Sequence, residues 1–137
     1  MVTLLQITAG IKSTLDNIAG LSAYAIEPPS PKFPCLWPFF RQPAADYNRT
    51  FDNMIIWHFS LTVAVQASDV AHAQTNLMPY LAPTGDKSIK AMVESIPTLG
   101  LAGVYASVLR VDQIGPLQVA GASAWAATLP LDVMVSE

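Results

Sequence analysis

The chain reads as a single small α+β domain, a largely antiparallel or mixed β-sheet carrying an N-terminal helix and two consecutive central helices, and three observations point there. Helix-like and strand-like stretches fall in separate blocks, helix, strands, two helices, strands, the segregation expected of an α+β layer arrangement. Ile55, Trp57, Phe59, Leu61, Val63 and Val65 alternate with His58, Ser60, Thr62 and Gln66, the period of a strand with one face in a core and a wetter face opposite. The 137 residues suffice for one core burying roughly 70% of the unfolded surface, so residues 1–137 are expected to form one domain.

The elements follow in order. Leu4, Ile7, Ile11, Leu15 and Ile18 recur at spacings of three and four, one stripe along a helix of about four turns, and Gly20 supplies its stop. Residues 27–43 hold Pro28, Pro29, Pro31, Pro34, Pro38 and Pro43, each lacking a backbone donor, so a central strand is not expected there. Phe33, Trp37, Phe39 and Phe40 nevertheless crowd around Cys35 and Leu36, which suggests a strand at a sheet edge. Residues 42–53 mix Pro43, Asp46, Asn48, Arg49 and Asp52 with Tyr47 and Phe51, the composition of an exposed arm with aromatic anchors.

Beyond the clear strand at 55–66, Ser68 or Asp69 can cap a helix whose apolar stripe is Val70, Ala73, Leu77 and Leu81. Pro79 removes one of its hydrogen bonds and is expected to kink or tighten it near Met78. Asp86 can cap a third, short helix marked by Ile89, Met92, Val93 and Ile96, which Pro97 and Gly100 end. Strands are expected over 104–112 and roughly 116–135, where Leu129, Leu131, Val133 and Val135 alternate with Thr128, Pro130, Asp132 and Met134. Pro130 predicts an edge position or a bulge. The uncharged run 113–131 is as long as a membrane span, but Gly115, Pro116, Gly121 and Pro130 make it two strands with a turn.

Composition disfavours several function classes. A net charge of −3 gives no basic footprint for holding a phosphate backbone. The lone cysteine, Cys35, cannot form an internal disulfide, and no Cys/His cluster has zinc spacing. Lys12 follows Leu4, Leu5 and Ile7 rather than preceding them, so no secretory leader is expected and the chain reads as intracellular. His58 and His72 lie on different elements, no Gly-Lys-Ser/Thr loop occurs, and Asp46, Asp52, Asp69, Asp86, Asp112 and Asp132 are scattered. No catalytic, cofactor or metal site is expected. Apolar residues make up 52% and charged residues 12%, against about 25% charged in ordinary soluble domains, an excess that points to an association surface.

A string of residues then narrows the reading. Tyr47, Asn48, Arg49, Thr50 and Phe51 precede the alternating strand. After it, Asp69 opens a helix with Ala73 and Gln74, ending in Tyr80, Leu81, Ala82, Pro83, Thr84 and Gly85. Ser88, Ile89, Lys90 and Ala91 follow, then Pro97, Thr98, Leu99 and Gly100. This resembles the tail terminator (minor tail, head–tail joining) proteins of long-tailed phages, of the actinophage type. The likeness extends more loosely to the first helix and to Leu131, Asp132, Val133, Met134 and Val135. Residues 27–43 and Pro79 depart from it.

The resemblance implies a virion subunit, assembled in the host cytoplasm, that forms a homo-oligomeric and commonly hexameric ring on the head-proximal end of the tail tube. Its partners would be further copies of itself, the tail tube protein and the head–tail connector, with DNA passing through unspecifically bound and no membrane involved. In such a ring different patches of neighbouring copies meet head to tail. Tyr47, Arg49, Phe51 and Asp52 are the candidate intersubunit arm. Two other readings compete: a head-completion or neck connector protein, and a small ligand-binding domain or enzyme with a pocket near Cys35, Trp37 and His58.

Overall fold

The computed structural model describes residues 2–26, 32–48, 54–66, 69–119 and 121–136. Helix α1 spans Leu4–Leu15 and begins with a reciprocal cap. The Gln6 N–H donates to the Thr3 hydroxyl at 3.2 Å, and the Thr3 N–H donates to the Gln6 side chain at 2.8 Å, so two of the helix's unpaired donors are satisfied at once. Ile7, Ile11 and Leu15 form the buried stripe. Ile18 lies one turn past the helix end and is buried all the same.

The described strands make one mixed sheet: β1 (Ser22–Ala23), β2 (Cys35–Asn48), β3 (Met54–Gln66), β4 (Val104–Val108), β5 (Gln113–Val119) and β6 (Ala122–Val135). The order is β1-β2-β3-β6-β4, and β5 pairs with β6 beside β4. Among these pairings only β1–β2 is parallel. The uncharged run at 113–131 is thus two paired strands, β5 and most of β6, as its glycines and prolines require.

Pro130 occupies neither an edge strand nor a bulge, because β6 is flanked on both sides. Its carbonyl accepts from the Leu109 N–H at 2.9 Å. Since N–H and C=O of one strand residue point to the same side, the missing donor also faces the link between β4 and β5. That link makes only irregular bonds, so the ladder to β3 needs nothing from Pro130.

Residues 42–48, part of the exposed arm expected over 42–53, belong to the outer half of β2. The ladder to β3 runs in register from Cys35↔Ala64 to Phe40↔Phe59, slips, and resumes from Ala45↔Trp57 to Asn48↔Met54. The slip at residues 41–44 is a bulge that holds Pro43, where a missing donor is tolerated. It also resets the alternation, which is why no period of two is visible there.

The two sheet faces differ. Leu36, Phe59, Leu61, Val63, Val65, Ala127, Leu129, Leu131, Val133 and Val135 point to one side and share the main core with helix residues. α2 (Val70–Leu81) meets β3 and β6, and α3 (Ile89–Ser95) meets β4 and α1. On the other face a smaller core joins Cys35, Trp37, Ala64, Val119, Ala124 and Ala126, with Tyr24 and Phe33 partly covering it. The even-numbered side of β3 is therefore covered around Ala64 and more open near His58.

Asp69 caps α2, accepting from the Ala71 N–H at 3.1 Å. Among its described side chains Ala73, Leu77 and Tyr80 are buried, and the helix continues past Pro79 to Leu81. The cap of α3 is Ser88 rather than Asp86. Its hydroxyl accepts from the Ala91 N–H at 3.1 Å and donates to the Ala82 carbonyl at 2.5 Å. The buried Ser88 has both roles filled, which an exposed Asp86 could not supply from two residues away.

Residues 97–100 close the helical block. Leu99 and Gly100 have φ of 53° and 74°, and the Leu101 N–H donates to the Thr98 carbonyl at 2.8 Å, which makes a turn with two left-handed residues. The Pro97 carbonyl accepts from Ala106 on β4 at 2.7 Å. Gly10 of α1 sits against this turn, where an added Cβ would lie 2.9 Å from the Leu99 carbonyl oxygen.

Candidate functional site

Four polar side chains converge on the open part of the second face, one from β3, one from β6 and two from β2. His58 pairs with Asp132 across the β3–β6 ladder, so both project from the same side. The bulge in β2 brings Arg41 and Asp46, on either side of Pro43, to the same place.

These groups approach closely. His58 Nδ1 lies 2.7 Å from Asp132 Oδ1, and His58 Nε2 lies 2.7 Å from Asp46 Oδ2. Arg41 Nη2 donates to the same Asp132 oxygen and sits 3.3 Å from His58 Nδ1. A neutral imidazole has one donor and one acceptor, whereas two ionised carboxylates can only accept. Both bonds exist together only when His58 is the imidazolium, and the cluster is then neutral: Arg41 and His58 against Asp46 and Asp132.

The hydrogen bond to Asp132, and after it the one to Asp46, raises the His58 pKa above its ordinary value. Partial burial and the Arg41 charge oppose the rise without reversing it. Arg41 Nε is buried with no hydrogen-bond partner among the described residues. The carboxylates sit on opposite ring nitrogens, so they cannot converge with His58 on one metal ion. Among the described residues no group of His, Cys, Asp or Glu is placed to hold one.

Apolar side chains surround this cluster on the same face. Phe39 (62% exposed), Tyr105 (55%) and Met134 (38%) are open to solvent, together with half-buried Ile56. On the other side of β2, Phe40 stacks on Phe59 with ring centroids 5.1 Å apart. Tyr47, at the end of β2, is 73% exposed. Of the candidate arm it alone falls within the described residues; Arg49, Phe51 and Asp52 lie outside them.

Of the residues named for the competing pocket reading, Cys35 and Trp37 are buried in the smaller core, away from His58. Cys35 pairs with Ala64, six positions along β3 from His58, roughly 20 Å away at strand spacing. Burial pushes the Cys35 thiol up to about 11, the opposite of an activated nucleophile. Hollows open elsewhere among the described residues. One of about 600 Å³ is bordered by Phe33, Val65, Thr75, Tyr80 and Lys87; another of about 550 Å³ lies between β5 and Thr62, Ala126 and Thr128. His72, exposed at the start of α2, faces Asp69 at 3.2 Å, an ordinary surface pair.

The cluster was not legible as a site because its members are spread over 91 residues, from Arg41 to Asp132. The signal that existed was phase: His58 and Asp132 each occupy the polar parity of an alternating strand. No protein-family model matches the chain, and no curated protein is significantly similar to it. No helix among the described residues is long and apolar enough to cross a membrane.

Proposed function

We propose that this protein is a structural subunit of a phage virion, a tail terminator that forms a ring on the head-proximal end of the tail tube, stops its growth and offers a docking surface to the head. In this reading helices α1 to α3 form one layer on the sheet, and the open sheet face with the β2–β3 hairpin is the assembly surface. The DNA channel is lined by a subunit of net charge −3, which suits passage without capture.

The observation that carries the proposal is the string from Tyr47 to Gly100 and the use the fold makes of it. Asp69 and Ser88 are helix caps, Tyr80 is buried, and Pro97, Leu99 and Gly100 form the turn that binds β4. These residues specify a scaffold rather than a reaction. Apolar side chains elsewhere on the fold face outward as well: Phe39, Tyr47, Tyr105 and Met134 stay exposed in the single chain, the kind of surface that association covers.

Purified protein added to growing tail tubes that lack it provides the test. Tubes capped at one end by a ring, and no longer elongating, support the proposal. Tubes that stay bare and keep growing contradict it. Binding to the portal side of filled heads, with no effect on the tubes, would favour a neck connector.

A further inference from the structure

We infer that His58 is a proton-operated clamp that fastens the outer half of β2, beyond its bulge, to the sheet, and that loss of the imidazole proton releases it through Asp46. The inference rests on the geometry of the cluster and stands whether or not the ring reading holds. If that reading holds, the clamp governs the base of the hairpin proposed to contact neighbouring subunits.

The argument begins with donors and acceptors. Asp132 reaches His58 from β6 and Asp46 reaches it from β2, each at 2.7 Å and on opposite ring nitrogens. Deprotonation leaves one nitrogen a lone pair facing a carboxylate, so one of the two bonds turns repulsive and must open. The Asp132 side chain is 25% exposed and is held also by Arg41, while the Asp46 side chain is 65% exposed. Water can solvate a freed Asp46 at less cost than a freed Asp132. The remaining proton therefore stays between His58 and Asp132, and Asp46 swings away.

The backbone makes this local event mechanical. Asp46 lies just beyond the slip between Phe40 and Ala45, where, among the described residues, the ladder restarts at Ala45, Asp46, Tyr47 and Asn48. A segment cut off from the rest of its strand by a bulge opens more readily than the continuous ladder, and the His58–Asp46 bond crosses from it to the central strand. Among the described residues no other ionisable group is placed to substitute for His58. Arg41 Nη2 donates to Asp132 and also lies 3.3 Å from His58 Nδ1, which puts its charge on the Asp132 side of the ring and not on the Asp46 side, while β4 sets Ser107 opposite Asp132 and Tyr105 opposite Met134. Arg110 and Asp112 pair with each other in the link beyond.

The test is an NMR titration of the whole chain, following the His58 ring nitrogens and, in parallel, amide exchange at residues 45–48 corrected for intrinsic rates. Protection at 45–48 relative to 61–65 should fall by about two- to fivefold as His58 deprotonates, the range a partly exposed ion pair supports. In H58Q that pH dependence should vanish. D46A, a truncation of a side chain that is 65% exposed, removes the acceptor altogether, and should lower the His58 titration point and give the loosened state at every pH. A His58 titration with unchanged relative protection at 45–48 overturns the clamp, as does D46A with wild-type titration and protection.

Discussion

His58 and Asp132 stand opposite each other in the β3–β6 ladder, and a carboxylate oxygen lies 2.7 Å from the imidazole Nδ1. Around this pair the fold gathers polar side chains from three strands, with Phe39, Tyr105 and Met134 exposed on the same face. The pair therefore carries stability as well as a charge switch.

Its pH dependence has a definite sign. The folded-state pKa of His58 lies above the unfolded value near 6.5 because Asp132 and Asp46 hold the proton. The folded state thus binds more protons in the window above 6.5, and stability falls as pH rises through it. The contribution is fully present below the unfolded pKa and is lost above the folded one. Thermal melts across this range should show a decline that H58Q lacks; equal slopes for the two proteins would contradict the assignment.

Removing Asp132 should hurt more than removing His58. D132A strands Arg41 and His58 together without their shared acceptor, and the buried Arg41 Nε already lacks a partner among the described residues. A loss of about 1–3 kcal/mol is expected by urea denaturation. A loss within error of zero would mean the cluster is solvated and contributes nothing.

Gly10 tests the packing of α1. Alanine is ordinarily the better helix residue by about 1 kcal/mol, yet here its Cβ would lie 2.9 Å from the Leu99 carbonyl oxygen and 3.1 Å from the Leu99 Cβ. G10A should therefore destabilise by about 1–3 kcal/mol as the turn at 97–100 is pushed away. A stabilised G10A would show that α1 stands off from that turn.

Cys35 should be chemically silent in the folded protein. It is fully buried, and its thiol is pushed up to about 11, so thiol alkylation at pH 8 should proceed only through unfolding. Rapid labelling under native conditions would place Cys35 outside the smaller core.

Exposed aromatics separate assembly from folding. F39S and Y47S remove side chains that are 62% and 73% exposed, so melting should change by no more than about 0.5 kcal/mol in stability. Tube capping should weaken in both. Undiminished capping would remove these residues from the interface.

Much of the fold is legible in the amino-acid sequence, and the boundary of that legibility has physical causes. The alternation from Ile55 to Val65 and the stripe from Leu4 to Leu15 are local patterns that the core repeats faithfully. The outer half of β2 was invisible because a bulge breaks the alternation and prolines argue against a strand. Ser88 outcompeted Asp86 as a cap because its hydroxyl donates and accepts at once. Pro130 misled because a central strand can host a proline where two neighbouring strands hand over. The ion cluster depends on register across three strands, which no single stretch of sequence carries. Of the arm residues, Tyr47 is exposed at the end of β2, while Arg49, Phe51 and Asp52 lie outside the described residues.

The central claim, a subunit that ends the tail tube, is tested most directly by electron micrographs of a phage or prophage from which this gene has been deleted. The account predicts overlong tails detached from filled heads. Tails of normal length on intact, infectious virions would contradict it.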